Sequence, residues 1–230
     1  MPTTRFLFWN LNRKPLAVVV AELAEEHQVD VVILAETDGD VGRILTALNT
    51  IGDSDFHLPL GLCPTITIFT RFSRDFLVPV QESKRISIRR LALPARPDVL
   101  LASVNLPSKL HQRTESQHFE CTRLAEDIAH EEDLLGHQRT ILVGDFNMNP
   151  FEYGLVAAGG LNSAMSRNVA GRSFRAVKGR DYRFFYNPMW GHLGDSRGHT
   201  TGTYFYDAGE HVTCSIVRSG LDSAPTDRGL

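Results

Sequence analysis

The sequence predicts an α/β (α+β) chain with mixed strand pairing, and three features of its patterning point there. Apolar strand-like runs alternate with amphipathic helical stretches over the first 50 residues. A meander of short strands without helices follows between residues 64 and 104. A long helical stretch then leads into a further apolar strand at residues 140–145. The opening order strand, helix, strand has the spacing of a βαβ unit, whereas the meander argues for antiparallel pairing. At 230 residues the chain fits one large domain, and no linker, repeat or low-complexity segment divides it. A single domain over residues 1–230 is expected.

Residues 5–10 are strand one, because aromatic and aliphatic side chains run up to a closing asparagine. Pro15 suits a helix first turn, and Leu16, Val19, Val20 and Leu23 fall at i, i+3, i+4 and i+7. A helix is therefore predicted to about residue 27. Residues 29–36 are mostly β-branched and end at Glu36, a second strand. A second helix, from about 39 to 49, carries Val41, Ile44, Leu45 and Leu48 on one stripe. The meander comprises strands at 65–70, 76–80, 86–91 and 99–104, the last followed by Asn105. Ser83, Lys84 and Arg85 with Arg89 and Arg90 make a basic patch that alternation assigns largely to a solvent-facing strand edge.

Thr114-x-x-Gln117 has the form of a capping box. Cys121, Leu124, Ala125 and Ile128 then repeat at helical spacing, which predicts a helix over about 115–135. A short helix over 151–161 is expected to stop at Gly159 and Gly160. Arg167, Arg172, Arg175, Lys178, Arg180 and Arg183 follow against one acid, Asp181, interleaved with Phe174 and Tyr182. Two further short strands are expected at 183–186 and 202–206.

Composition narrows the function classes. A net charge of -3 rules against general electrostatic affinity for nucleic acid, so any hold on phosphate must be local or metal-assisted. Cys63, Cys121 and Cys214 form no CxxC pair, so neither a zinc site nor a disulfide framework is indicated. A reducing, cytoplasmic compartment is expected. The first residues carry no signal-peptide core, and no apolar stretch approaches the ~20 residues needed to span a bilayer, so membrane insertion is not expected.

Chemistry concentrates at residues 140–150, where an apolar run stops at Gly144 and Asp145 and Asn147 follow two residues apart. Period-two alternation puts both side chains on one side, and both are hard oxygen ligands of the kind magnesium accepts. Taken alone, such residues also make an ordinary Asx turn. Asn10, Glu36 and Asn105 likewise close apolar strands. Each by itself reads as a turn cap, but if these strand ends share one edge their oxygens converge, as at ligand sites beyond strand carboxyl ends.

The motifs Phe8-Trp9-Asn10, Ile33-Leu34-Ala35-Glu36, Val104 to Lys109, Gly144-Asp145-Phe146-Asn147 and Gly202-Thr203-Tyr204 occur in that order. On these the chain resembles the endonuclease/exonuclease/phosphatase superfamily over roughly residues 5–206, leaving 207–230 as a diverged or truncated tail. The resemblance implies a four-layer αββα sandwich, two mixed sheets face to face with helices on the outer faces. It implies magnesium- or manganese-dependent hydrolysis of phosphoesters, nuclease-like, by attack of a water that the metal helps to activate. On that template Glu36 is the principal metal ligand, assisted by Asn10, with Asp145 beside the ion. Asp145 also orients or activates the water, and Asn147 holds it or a phosphate oxygen. Lys109 and Ser108 are candidates for phosphate contact, a solvated surface lysine being the other and favoured reading of Lys109. Arg175 and Arg180, in the basic aromatic-laced segment, are candidates to contact a nucleic acid or small phosphoester, since arginine pairs with phosphate and aromatics stack on bases. A solvated loop followed by a strand of core aromatics is the other reading of that segment.

Two departures from the family pattern stand out. A histidine that donates to the scissile phosphate is usual where this chain has Asn105; asparagine donates a hydrogen bond but carries no positive charge. His111 is the other candidate donor nearby. Members also close on a strand followed by Asp-His, whereas here Asp207 to Glu210 lead to His211, ahead of the remaining strand candidate. Losing a general base costs ~10²–10⁴-fold in rate, and losing the last strand would expose a sheet edge. The alternative to a phosphoesterase is thus an impaired member that binds a phosphorylated ligand, nucleic acid or protein without turnover. An unrelated α/β ligand-binding fold would place Glu36 and Asp145 far apart.

Overall fold

A computed structural model describes residues 3–52, 55–108, 114–192, 204–206 and 211–217. In the first sheet, β1 (Phe6–Asn10) and β2 (Val31–Ala35) run parallel, joined by the crossover helix α1 (Ala17–Glu26). Helix α2 (Val41–Ile51) then leads to β3 (Ile66–Thr70), which returns antiparallel to β2. The meander builds the second sheet from β4 (Leu77–Glu82), β5 (Ile86–Leu91) and β6 (Val99–Asn105). Helix α3 (Thr114–Leu135) crosses to β7 (Thr140–Asp145), parallel to β6.

The remaining elements are smaller. Helix α4 (Tyr153–Val156), β8 (Ser163–Ala164) and α5 (Arg167–Ala170) precede a hairpin of β9 (Phe174–Val177) and β10 (Arg180–Arg183). Strand β11 (Phe185–Tyr186) pairs in parallel with β8. Last come β12 (Tyr204–Tyr206) and β13 (His211–Val217), which complete the first sheet in the order β12-β13-β1-β2-β3. The second sheet runs β4-β5-β6-β7.

Alternation along the strands divides the apolar side chains into three packed layers. Leu7, Trp9, Val32 and Leu34 meet Val20, Ala24, Ile44 and Leu48 of α1 and α2. Phe6, Phe8, Val31, Ile33 and Ile68 face Leu77, Leu91, Leu101, Ile141 and Val143 between the two sheets. Ile88, Leu100, Ala102 and Val104 pack on Cys121, Leu124 and Ile128 of α3. The result is helix, sheet, sheet, helix, the expected four-layer arrangement, in which each sheet buries both faces. Among the described residues no helix is long and apolar enough to cross a membrane.

The structure departs from the sequence reading in three places. The helix expected over 151–161 is a single turn, because Ala157 is extended and the chain doubles back so that the Leu161 amide donates to the Gly154 carbonyl. In α1 the buried positions are Val20, Ala21 and Ala24, while Val19 is exposed; small alanines let the helix approach the sheet and α2 closely. Arg89 is no surface residue. It is 2% exposed between the sheets, where Glu82 pairs with it at 3.0 Å and Ser87 accepts from its Nε at 3.0 Å. The remaining strand candidate of the sequence forms β13, rich in β-branched Val212, Thr213, Ile216 and Val217, and this strand pairs along β1 from Phe6 to Asn10.

Candidate active site

The layer between the sheets is apolar through Phe8, Ile33, Leu101 and Val143, then turns polar at one end. Asn10, Asn105 and Asp145 each lie an even number of residues beyond these positions and so share the inner face. Glu36 follows inward-facing Ala35, and alternation alone would send it outward. Its backbone instead adopts a left-handed φ of 54°. That conformation costs about 1–3 kcal/mol in a non-glycine residue. Hydrogen bonds hold it: the Arg13 amide donates to the Glu36 carbonyl at 3.0 Å, and the Glu36 amide donates to the Thr65 carbonyl at 3.2 Å. Asn147 is also left-handed, with φ 51°, which asparagine tolerates better.

These side chains meet across the two sheets. Asn10 Nδ2 donates to Asp145 Oδ2 at 2.9 Å and approaches Glu36 Oε1 at 3.4 Å, so one amide ties both carboxylates. Asn105 Nδ2 reaches the same Glu36 oxygen at 3.4 Å. The Asn147 amide N–H donates to Asp145 Oδ1 at 2.9 Å, and its side-chain Nδ2 donates to the Leu106 carbonyl at 2.8 Å. Gly144 allows the approach of β7 to β6: a Cβ there would sit 2.1 Å from the Val104 carbonyl oxygen. Asn105 is 1% exposed and lies beneath Glu36. Its side-chain amide is thus directed to that carboxylate.

The donor set suits a hard divalent cation. Among the described residues neither Glu36 nor Asp145 has a basic side chain within ion-pair distance. Asn105 Oδ1 is buried with no partner, an orphaned hard oxygen beside the carboxylate pair. Among the described residues no three acidic, histidine or cysteine side chains cluster, leaving two carboxylates and amide oxygens. Magnesium takes one or two carboxylates and keeps several waters, so the set fits.

Other candidates fall differently. Ser108 is half-buried just past β6, whereas Lys109 and His111 lie outside the described residues. Arg175 stands on β9 opposite Tyr182, and Arg180 pairs with Glu126 of α3 at 3.1 Å. Glu126 is nine residues along α3 from Gln117, about 13 Å at a helical rise of 1.5 Å per residue. The structure thus sets Arg180 on the outer face of α3, where it lines a separate cavity of about 610 Å³, away from the strand ends.

Two residues that the sequence assigns to a helix cap and a basic patch, Gln117 and Arg85, stand near the strand ends. Gln117, 1% exposed, donates to the carbonyls of Pro107 and Asn147 at 3.4 and 3.3 Å, bracing both loops rather than acting as a helix cap. Arg85 places Nη1 on the Asn105 carbonyl at 3.2 Å. The sequence marks it only as part of a basic patch; that it shares a face with Ser87 and Arg89 follows from the strand register. Beside the cluster, a cavity of about 630 Å³ is lined by Arg13, Lys14, Thr37, Asp38 and Asp40, from the loops after β1 and β2, and by Arg43 in the first turn of α2.

Two sheets closing on a cluster of hard oxygen donors at their strand ends form the scaffold of a phosphoesterase-type enzyme. Residues 7–210 match the model of the Endonuclease/Exonuclease/phosphatase family, and the chain belongs to that family. The structure is similar to the human nocturnin catalytic domain with bound sulfate anion, at 15% identity over 69% of this chain and 71% of that one, with a TM-score of 0.51. It is also similar to truncated TDP2 of Caenorhabditis elegans, at 15% identity over 79% and 81% of the two chains, TM-score 0.48. An endonuclease/exonuclease/phosphatase family protein from Leptotrichia buccalis is 13% identical over 94% and 100%, TM-score 0.45. No curated protein sequence matches the chain.

Proposed function

We propose that the strand-end cluster is a magnesium or manganese site and that this chain hydrolyses phosphodiester bonds in a nuclease-like manner. The observation that carries this reading is the single Asn10 amide held between Glu36 and Asp145. Glu36 and Asp145, with the Asn10 and Asn105 side-chain oxygens nearby, would hold the cation. A divalent ion there supplies charge neutralisation at the phosphoryl oxygens and the leaving oxygen. Asp145 is aimed by its two hydrogen bonds, so it orients the attacking water and takes its proton as the new P–O bond forms and the ester P–O bond breaks. Asn147 has one amide proton on Leu106, and the second is available to a phosphate oxygen. A tetrahedral oxyanion such as the sulfate carried by the nocturnin domain is the kind of group the site is proposed to take.

The adjoining cavity favours a substrate larger than a lone phosphate. Arg13 and Lys14 line it, and neither side chain has an ion-pair partner among the described residues. Nucleic acid or a small phosphodiester fits this layout. The second reading, ligand binding without turnover, is favoured by one observation: the residue at the usual histidine position is Asn105, buried and uncharged.

Turnover of a single-stranded oligonucleotide and of bis(p-nitrophenyl) phosphate, with magnesium or manganese and with chelator, separates the two. Metal-dependent product formation is expected, lowered ~10²–10⁴-fold by Glu36→Gln. Product no greater than that of the Glu36→Gln protein would reject the enzyme and favour the binder.

A further inference from the structure

Loss of a cationic donor at position 105 leaves a charge to be supplied, and β5 offers one. The register places Ile86 opposite Val104, so Arg85 falls beside Asn105, and Asn105 is opposite Asp145 on the far side. Arg85, Asn105 and Asp145 therefore form a row across three neighbouring strands, spaced about 4.8 Å per strand. Arg85 is also in step with Ser87 and Arg89, which face the space between the sheets, and so it is on the inner face.

Two backbone links fix it there. The Asn105 amide donates to the Arg85 carbonyl at 2.9 Å, while Arg85 Nη1 returns to the Asn105 carbonyl at 3.2 Å. A third link runs to the opposite sheet. The Thr65 hydroxyl donates to the Lys84 carbonyl at 2.9 Å, and the Thr65 carbonyl accepts the Glu36 amide at 3.2 Å. The turn that carries Arg85 is thereby pinned to the backbone of Glu36. Its neighbours on β5 are neutralised, Arg89 by Glu82 at 3.0 Å and Arg90 by Asp98 at 2.6 Å. Arg85 has no carboxylate partner among the described residues, and its one hydrogen bond to a neutral carbonyl leaves the rest of its donor fork unused.

We propose that Arg85 is a catalytic residue that donates to a non-bridging oxygen of the scissile phosphate, supplying from β5 the positive charge that Asn105 cannot carry. This rests on the phosphoesterase reading above. A guanidinium is suited to the task because it stays charged at every working pH and matches two phosphate oxygens at once. Charge placed where it develops in the transition state is worth more to kcat than to KM.

The test compares bis(p-nitrophenyl) phosphate hydrolysis by wild type, Arg85→Ala, Arg85→Lys and, as a charge control from an exposed site, Arg74→Ala, with melting temperatures recorded. Arg85→Ala is expected to lower kcat ~10²–10³-fold, the scale of one lost oxyanion donor, with KM changed far less. Arg85→Lys is expected to recover part of the loss, and added guanidinium to accelerate Arg85→Ala but not wild type. Wild-type kcat in Arg85→Ala would overturn the proposal, as would a loss that neither lysine nor guanidinium relieves. If wild type itself has no turnover, the phosphoesterase reading fails, and inorganic phosphate binding by calorimetry decides the role of Arg85. Affinity weakened about tenfold or more in Arg85→Ala supports a phosphate contact, and equal affinity overturns it.

Discussion

Gly144 shows how tightly single positions hold the cluster. An added Cβ would lie 2.1 Å from the Val104 carbonyl oxygen and 2.8 Å from its nitrogen, both backbone atoms of the neighbouring strand. Relief requires β6 and β7 to separate, which is overpacking of a kind that costs about 3 kcal/mol. Gly144→Ala is expected to lower the urea midpoint of unfolding accordingly and to displace Asp145 from Asn10, with turnover falling too. An unchanged midpoint would contradict the close approach. At this scale the sequence was informative where a polar residue interrupts an apolar run: Asn10, Glu36, Asp145 and Asn147 stand out for that reason. Arg85 and Gln117 did not, because their positions depend on strand register and helix rotation. Asn105 was legible as a strand end, but its burial beneath Glu36 follows from the opposite sheet, which local pattern does not encode.

Among the elements, α3 links the loops at the strand ends to the β9–β10 hairpin. Its first turns brace the site loops through Gln117, and its far end takes the hairpin through Glu132 and Asp133. Glu132 is 6% exposed, accepts from the Thr140 hydroxyl at 2.6 Å and pairs with Arg183 at 2.9 Å. Burial nevertheless pushes its carboxyl above the ordinary value of 4.5, outweighing Thr140 and Arg183. Between the ordinary value and the raised one, the folded state keeps a proton that the unfolded state has released, so this group's contribution to stability falls as pH rises. Glu132→Gln lacks the titration. The stability of wild type relative to that variant is expected to decline as pH is raised above 4.5, read from urea midpoints at a series of pH values. A difference constant or growing with pH would contradict it. The helices and the meander were readable from their periods of 3.6 and 2. The single-turn α4 was not, since its end is set by Gly160 packing against the Gly154 carbonyl, where an added Cβ would sit 2.1 Å away.

For the whole molecule, the site exists because two sheets end together. Asn10 and Glu36 come from the first sheet, Asn105, Asp145 and Asn147 from the second, and the Asn10–Asp145 bond spans 135 residues of sequence. The alternation of strand and helix made the layers foreseeable, since each sheet carries apolar residues on both faces. The pairing of β13 with β1 was not, because the choice of partner for an edge strand is a long-range matter. The proposed cation site, shared between the sheets, has a sharp consequence: a change on either sheet is expected to weaken the same binding event. Calorimetric titration of manganese into wild type, Glu36→Gln and Asp145→Asn measures this directly. The account predicts one site in wild type and affinity weakened at least ~10-fold by each substitution alone, as expected when one of two carboxylate ligands is neutralised. A folded wild type that takes up no manganese, or an isotherm unmoved by either substitution, would contradict it.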